Sequence, residues 1–158
     1  MAQAASPELA GPGSYETVTE PAALRAWVDA CIAAGAFAFD CETNSLDEHK
    51  AEPVGFSLSC EAKKACYVPL KAPEGEAVMP EAAAKAELAR LFSAEKALLV
   101  GQNVKYDYSV MGRYASPMRN RLYDTMIASW LLDAEADSYG LEALAERRLG
   151  YRGIEYEE

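Results

Sequence analysis

The stretch AFAFDCETNSL, residues 36–46, decides how the chain folds. Its apolar and polar residues alternate: Phe37, Phe39 and Cys41 fall on one side of an extended chain, and Ala38, Asp40 and Glu42 on the other. That period predicts a strand over 36–42 with one face turned to a core. The Cα atoms of Asp40 and Glu42 would then lie roughly 6–7 Å apart. Both carboxylates can lean towards one hard cation, and small Ala38 leaves space behind them. Cys41 points the other way, and neighbouring carboxylates raise a thiol pKa, which argues against a nucleophile. A bare D-x-E is read most simply as a strand running out into solvent.

The flanks supply the rest of the fold. Residues 15–18, YETV, read as a short strand, and TEPAALRAWVDACIAAG as a helix. Pro21 suits its first turn, Leu24, Trp27, Val28, Cys31 and Ile32 form its apolar stripe, and Gly35 stops it. VGFSLSC (54–60) and ACYVPL (65–70) read as a hairpin across a short polar connection. A helix follows at 80–92, anchored by Leu88, Leu91 and Phe92, then a buried strand, ALLV, at 97–100. Helices are expected at 103–114 with Asn103 as cap, at 124–132 with Asp124 as cap, and at 140–150 with Gly150 as stop. Adjacent antiparallel strands followed by alternating helix and strand predict an α/β domain with a mixed sheet, three antiparallel strands then parallel ones, flanked by helices. Residues 15–158 form that domain, and the Ala-, Gly- and Pro-rich residues 1–14 read as a flexible leader or linker.

Composition narrows the chemistry. Hydrophobic residues make up 51% of the 158, a globular composition. The longest apolar runs are too short to span a bilayer, and no signal peptide is visible, so the expected setting is the cytoplasm, away from any membrane. Cys31, Cys41, Cys60 and Cys66 show no CxxC spacing, and His49 is the lone histidine, so a zinc site is not expected. Free thiols in a reducing compartment fit better than two disulfides, which would need export. A net charge of −10 argues against holding nucleic acid by general electrostatics. It does not exclude an enzyme that touches nucleic acid through metal ions.

A second element changes the weight of the acidic pair. VGQNVKYD (100–107) reads as strand, glycine turn and helix start, with Asn103 and Asp107 stacked at i, i+4. If this strand lies beside 36–42, Asp107 can face Asp40 and Glu42. In the order FAFDCETNSLD, VGFSLSCEAKKACYVPL, EKALLVGQNVKYDYSVMGRY, YDTMIASWLL and LEALAERRLGYRGIEYEE, the sequence resembles the 3′–5′ proofreading exonuclease domain of bacterial DNA polymerase I. That family belongs to the DEDD exonucleases on the ribonuclease H-like fold. The resemblance runs from about residue 15 to the C-terminus, and its motifs D-x-E-T-x-x-L and Q-N-x-x-x-D are specific in combination.

The resemblance implies roles. Asp40 and Glu42 would hold one divalent ion, Asp40 would bridge to a second, and Asp107 would support that second ion largely through water. The ions would be Mg²⁺ or Mn²⁺, as all-oxygen ligands also suggest. Thr43 and Leu46 would grip the 3′ end of single-stranded DNA, Gln102 and Asn103 would contact the same strand, and Tyr156 would stack on a base. Asp124 is assigned to helix capping and His49 to a solvated loop. A polymerase domain would be the partner in a longer chain. The family's third motif, Y-x-x-x-D, does not occur in the sequence. A fragment, an inactive natural protein and completion by a partner chain each account for that, the first being expected. Metal binding should then be weak, activity low, and an apolar strip exposed on the sheet or on helix 103–114. The alternative is a non-catalytic exonuclease-like scaffold packed against a polymerase domain. A structured-RNA ribonuclease of the same superfamily is a further, weaker one.

Overall fold

A computed structural model describes residues 13–152. Most of the expected leader and Tyr156 lie outside this range. The elements are β1 (Ser14–Thr17), α1 (Pro21–Ala34), β2 (Ala36–Thr43), β3 (Pro53–Glu61), β4 (Lys64–Pro69), α2 (Glu81–Phe92), β5 (Leu98–Gly101), α3 (Val104–Tyr114), β6 (Arg121–Asp124), α4 (Thr125–Leu132) and α5 (Leu141–Leu149). One six-stranded sheet runs in the order β1-β4-β3-β2-β5-β6. Strands β2, β3 and β4 are antiparallel neighbours, while β1 on β4, β5 on β2 and β6 on β5 are parallel. The mixed α/β architecture matches the sequence reading. Strand β6 was not anticipated, because RLYD is short and mostly exposed and carries no period-two apolar signal.

One face of the sheet is packed and the other largely open. Phe37, Phe39 and Cys41 are buried and join one core with Leu24, Val28 and Cys31 of α1, Leu88, Leu91 and Phe92 of α2, and Val110 and Met111 of α3. Phe39 sits at its centre, with its ring 5.8 Å from Phe56 and edge-on to Phe92 at 5.4 Å. Where α1 meets α2, buried Glu87 receives Arg25 at 2.9 Å and also pairs with Arg90, so its charge is matched. All four cysteines are free thiols. Burial and neighbouring Cys60 push Cys31 up to about 12, so it is an inert core thiol. No helix among the described residues is long and apolar enough to cross a membrane.

The apolar strip expected on the sheet or on helix 103–114 falls on the sheet, at its β6 edge, and on α4 beside it. Val104, Val110 and Met111 of α3 are buried, because α3 lies on the packed face. The exposed apolar surface is on α4, which buries no residue and leaves Leu131 and Leu132 72% and 75% exposed, and on Leu122 and Tyr123 of β6.

Helix capping also departs from expectation in one place. Asn103 occupies the N-cap position of α3 in the left-handed region, φ 55°, but its side chain caps nothing. Asp124 takes over that task. Its carboxylate accepts from the N–H groups of Asn103 (3.2 Å) and Val104 (2.9 Å), and from Met126 (2.9 Å) and Ile127 (3.3 Å) at the start of its own helix. One carboxylate thus answers the first-turn donors of two helices, where negative charge is favoured. Asp124→Ala should lower stability by about 2 kcal/mol, the upper end for a single cap. Asn103→Gly, which keeps the left-handed backbone, should change it by less than about 0.5 kcal/mol. Urea midpoints at unchanged m-value measure both.

Candidate metal and nucleic-acid site

The site grows from the point where β5 stops. Strand β2 pairs with β5 only as far as Ala38 opposite Val100. Beyond that, the chain turns at Gly101 into α3, and the backbone N–H of Cys41 loses its strand partner on that side. Asp107 replaces it: its Oδ1 accepts the Cys41 N–H at 2.9 Å. Gly101 fits this turn closely, since a Cβ there would lie 3.1 Å from Val104 and 3.5 Å from the Phe39 carbonyl.

This bond holds the backbone between the two carboxylates. Asp40 and Glu42 emerge on either side of Cys41 onto the open face, opposite Ser57 and Gly55 of β3. Asp107 is buried at 3% exposure, behind the strand. Burial first, then Asp107, then Glu42 push the Asp40 carboxyl up to about 6 from its ordinary 3.8. Burial likewise raises Asp107, against the hydrogen bonds from Cys41 that stabilise its charge. Cys41 is buried on the far face, and burial and Asp107 push its thiol well above the usual range, which removes it from nucleophilic chemistry. As the side chains stand, no three His, Cys, Asp or Glu groups among the described residues converge closely enough to hold a metal ion.

A groove of about 300 Å³ opens on this face. Asp40, Ser57, Ser59, Gln102, Thr125 and Leu141 contribute to its walls. Gln102 is tied at both ends: its Nε2 donates to the Tyr139 carbonyl at 2.7 Å, and its Oε1 accepts from Thr125 Oγ1 at 2.5 Å. It therefore joins the ends of β5, α4 and the segment before α5. Asn103 is exposed next to it.

The other expected contact residues lie on the loop after β2. Thr43 Oγ1 is 2.6 Å from the Tyr106 hydroxyl and donates to the Ser45 carbonyl at 2.9 Å. Leu46 is 96% exposed. Tyr106 and Arg113, both from α3, hold this loop: Tyr106 bonds the Ser45 carbonyl, and Arg113 the carbonyls of Glu48 and Ala51. Sequence reading missed them because their partners are backbone atoms some sixty residues away, which no spacing reveals. Tyr67 was missed too. Its phenol lies over Gly55, where a Cβ would meet the hydroxyl at 2.0 Å. Glu42 adds to the rise that burial gives the phenol's pKa. His49 sits exposed in the loop, as expected.

A mixed sheet packed on one face, with paired carboxylates at a strand end on the other, defines an α/β domain of ribonuclease H-like type. The sequence pattern of the 3′–5′ exonuclease family matches residues 15–158, and the chain belongs to that family. DNA polymerase I of Rhizobium leguminosarum is 35% identical over 164 residues, covering 92% of this chain and 16% of that protein. The chain therefore spans a small part of the relatives it matches. Escherichia coli RNase D, an exoribonuclease involved in structured RNA processing, superposes with a TM-score of 0.71 at 17% identity, covering 91% of this chain and 36% of that one. Brucella melitensis NrnC with bound Mg²⁺ gives 0.69 at 19%, covering 91% and 65%. These two share the fold.

Two substitutions separate the structural and electrostatic parts of Asp107. Asp107→Ala leaves a buried N–H unanswered and should cost about 1–3 kcal/mol, whereas Asp107→Asn keeps an acceptor and should cost less. Both should pull the Asp40 pKa down from about 6, as read by carboxyl NMR titration. Asp40 also gives stability a pH slope. Its folded value lies above 3.8, so the extra stability from proton uptake is complete below about pH 4 and lost as pH rises through 6. Denaturation midpoints of metal-free protein minus those of Asp40→Asn should show that slope.

Proposed function

We propose that the chain is a 3′–5′ exonuclease module acting on the 3′ end of single-stranded DNA, the proofreading part of a DNA polymerase I-type enzyme with its own polymerase domain. It would work in the cytoplasm, where its thiols stay reduced. The observation that carries the reading is the Asp40–Glu42 pair at the open end of β2, with Asp107 behind it, in a chain of the exonuclease family.

The donor set suits a hard divalent cation, Mg²⁺ or Mn²⁺, because every candidate ligand is a carboxylate oxygen. Burial first, then repulsion from Asp107 and Glu42, already raises Asp40, and a cation would relieve the repulsion. Asp40 and Glu42 would be the direct ligands. Asp107 gives its Oδ1 to the Cys41 N–H, and by the family pattern its support of a second ion would run largely through water. Bound divalent ions supply an activated water and stabilise the leaving 3′ oxygen in phosphodiester hydrolysis. The chain's own residues do the positioning. Thr43 and exposed Leu46 would meet the terminal nucleotide, Gln102 and Asn103 would border the strand, and Tyr156 would offer a stacking surface worth about 1–3 kcal/mol.

One sequence observation favours a second reading, a weakly active or scaffold form: Y-x-x-x-D, the motif for the remaining ligand and the water-orienting tyrosine, does not occur. The intact first carboxylates favour the enzyme reading over the scaffold.

Calorimetric titration with Mn²⁺ tests the ligand pair. The wild-type chain should bind weakly, Asp40→Ala should bind at least about tenfold more weakly still, and affinity should fall as pH drops through about 6, where Asp40 takes up its proton. Fusion to a segment carrying Y-x-x-x-D should give Mg²⁺-dependent shortening of a 5′-labelled single strand from its 3′ end. A folded fusion that leaves the strand intact with either metal overturns the reading.

A further inference from the structure

The loop that displays Leu46 has a built support. Residues 44–52 leave β2 and return to β3 through a closed neck: Asn44 N–H donates to the Glu52 carbonyl at 3.2 Å, and Glu52 N–H to Asn44 Oδ1 at 2.9 Å. Inside the loop, the N–H groups of Lys50 and Ala51 both donate to the Asp47 carbonyl, at 2.9 and 2.8 Å, which makes one compact turn. Ala51 is buried and anchors the turn in the core.

Arg113 braces this turn from outside. Its guanidinium donates through Nη1 to the Glu48 carbonyl and through Nη2 to the Ala51 carbonyl at 3.0 Å, so both arms of the fork are used. The two acceptors lie near the start and at the end of this turn, so the fork spans it. Tyr106, seven residues earlier on α3, fixes the other side through Thr43 and the Ser45 carbonyl. Between these supports Leu46 stands 96% exposed, touching almost nothing that would otherwise set its position. An apolar side chain held free on a loop with this many fixed backbone contacts is organised to be used.

We propose that Arg113 is a positioning residue for recognition of a nucleic-acid 3′ end: by clamping the Glu48 and Ala51 carbonyls it holds the 44–52 loop so that Leu46 is presented to the terminal nucleotide. This rests on the exonuclease reading above. The planar fork matters as well as the charge, because a lysine ammonium does not match two divergent carbonyls in the same way. Arg113 is solvent-exposed and outside the core, so its replacement leaves the packed face intact.

The test uses the whole chain in Mn²⁺ and a 5′-fluorescein oligothymidylate with a 3′-terminal phosphorothioate, read by fluorescence anisotropy. Arg113→Ala and Arg113→Lys should each weaken binding by about fivefold, equivalent to about one hydrogen bond. In a Leu46→Ala background, Arg113→Ala should add almost nothing, because Arg113 acts through Leu46. Amide exchange at Lys50 and Ala51 should speed up in both Arg113 variants while the melting temperature stays near wild type. Additive losses with Leu46→Ala, wild-type affinity in Arg113→Lys, or unchanged loop exchange would each overturn the proposal. Wild-type protein that fails to bind the oligonucleotide overturns this proposal, while the exonuclease reading stands or falls with strand shortening by the fusion. Wild-type binding that Arg113→Ala leaves unaltered removes this proposal alone.

Discussion

The hydrogen bond from the Cys41 N–H to Asp107 is the constraint on which the site depends. A parallel strand pair cannot continue where one strand turns into a helix, so the longer strand is left with an unanswered backbone donor. Leaving such a group buried costs about as much as a lost hydrogen bond, or more. Asp107 answers it from α3. The bond locks β2 against the helix at the residue between Asp40 and Glu42, so the two open-face carboxylates share one rigid backbone segment. The same carboxylate adds charge behind them, and this is part of why Asp40 holds its proton more tightly than an ordinary aspartate.

The sheet's asymmetry follows from its strand order. Strands β2, β5 and β6 are parallel and end on one side, where Thr43, Gly101 and Asp124 mark their last residues. In α/β sheets that side gathers loops and helix starts, and ligands are bound there. Asp124 caps two helices, Gln102 ties three segments together, and Arg113 with Tyr106 fixes the loop after β2. Each uses a polar side chain to satisfy backbone groups that the strand ends expose. The edge is therefore rigid before any ligand arrives, which is what preorganised recognition requires.

How much of this the sequence disclosed depends on the range of each interaction. The period-two alternation of residues 36–42 is local, so the strand, its buried face and the shared face of Asp40 and Glu42 could all be read directly. Helix α1 was legible for the same reason, its stripe and its Gly35 stop lying within one segment. Asp124 was correctly seen as the cap of α4, since its donors are two and three residues away. Its second task, at α3, was hidden because those donors lie about twenty residues back. Asn103 was misread as a working cap because its position is right and its residue type is favoured, yet its left-handed backbone leaves the side chain outside the helix-start hydrogen bonds. Arg113 carries no motif at all. Its partners are main-chain oxygens, which any sequence could supply, and only the fold brings them together.

Charge links the site to what it can bind. A chain with a net charge of −10 has no general attraction for a phosphate backbone, and the Asp40 carboxylate in its open groove would repel one. Attraction must then be local and conditional. On the proposed reading, Asp40 and Glu42 would become an asset to an anionic strand only once a divalent cation inverted the local field, while Leu46 and the groove's apolar wall would offer contacts that do not depend on charge. On the proposed reading, a site built this way would suit a strand end held at a few fixed points. The hydrogen bonds that fix β2 and its loop would then let those few points suffice.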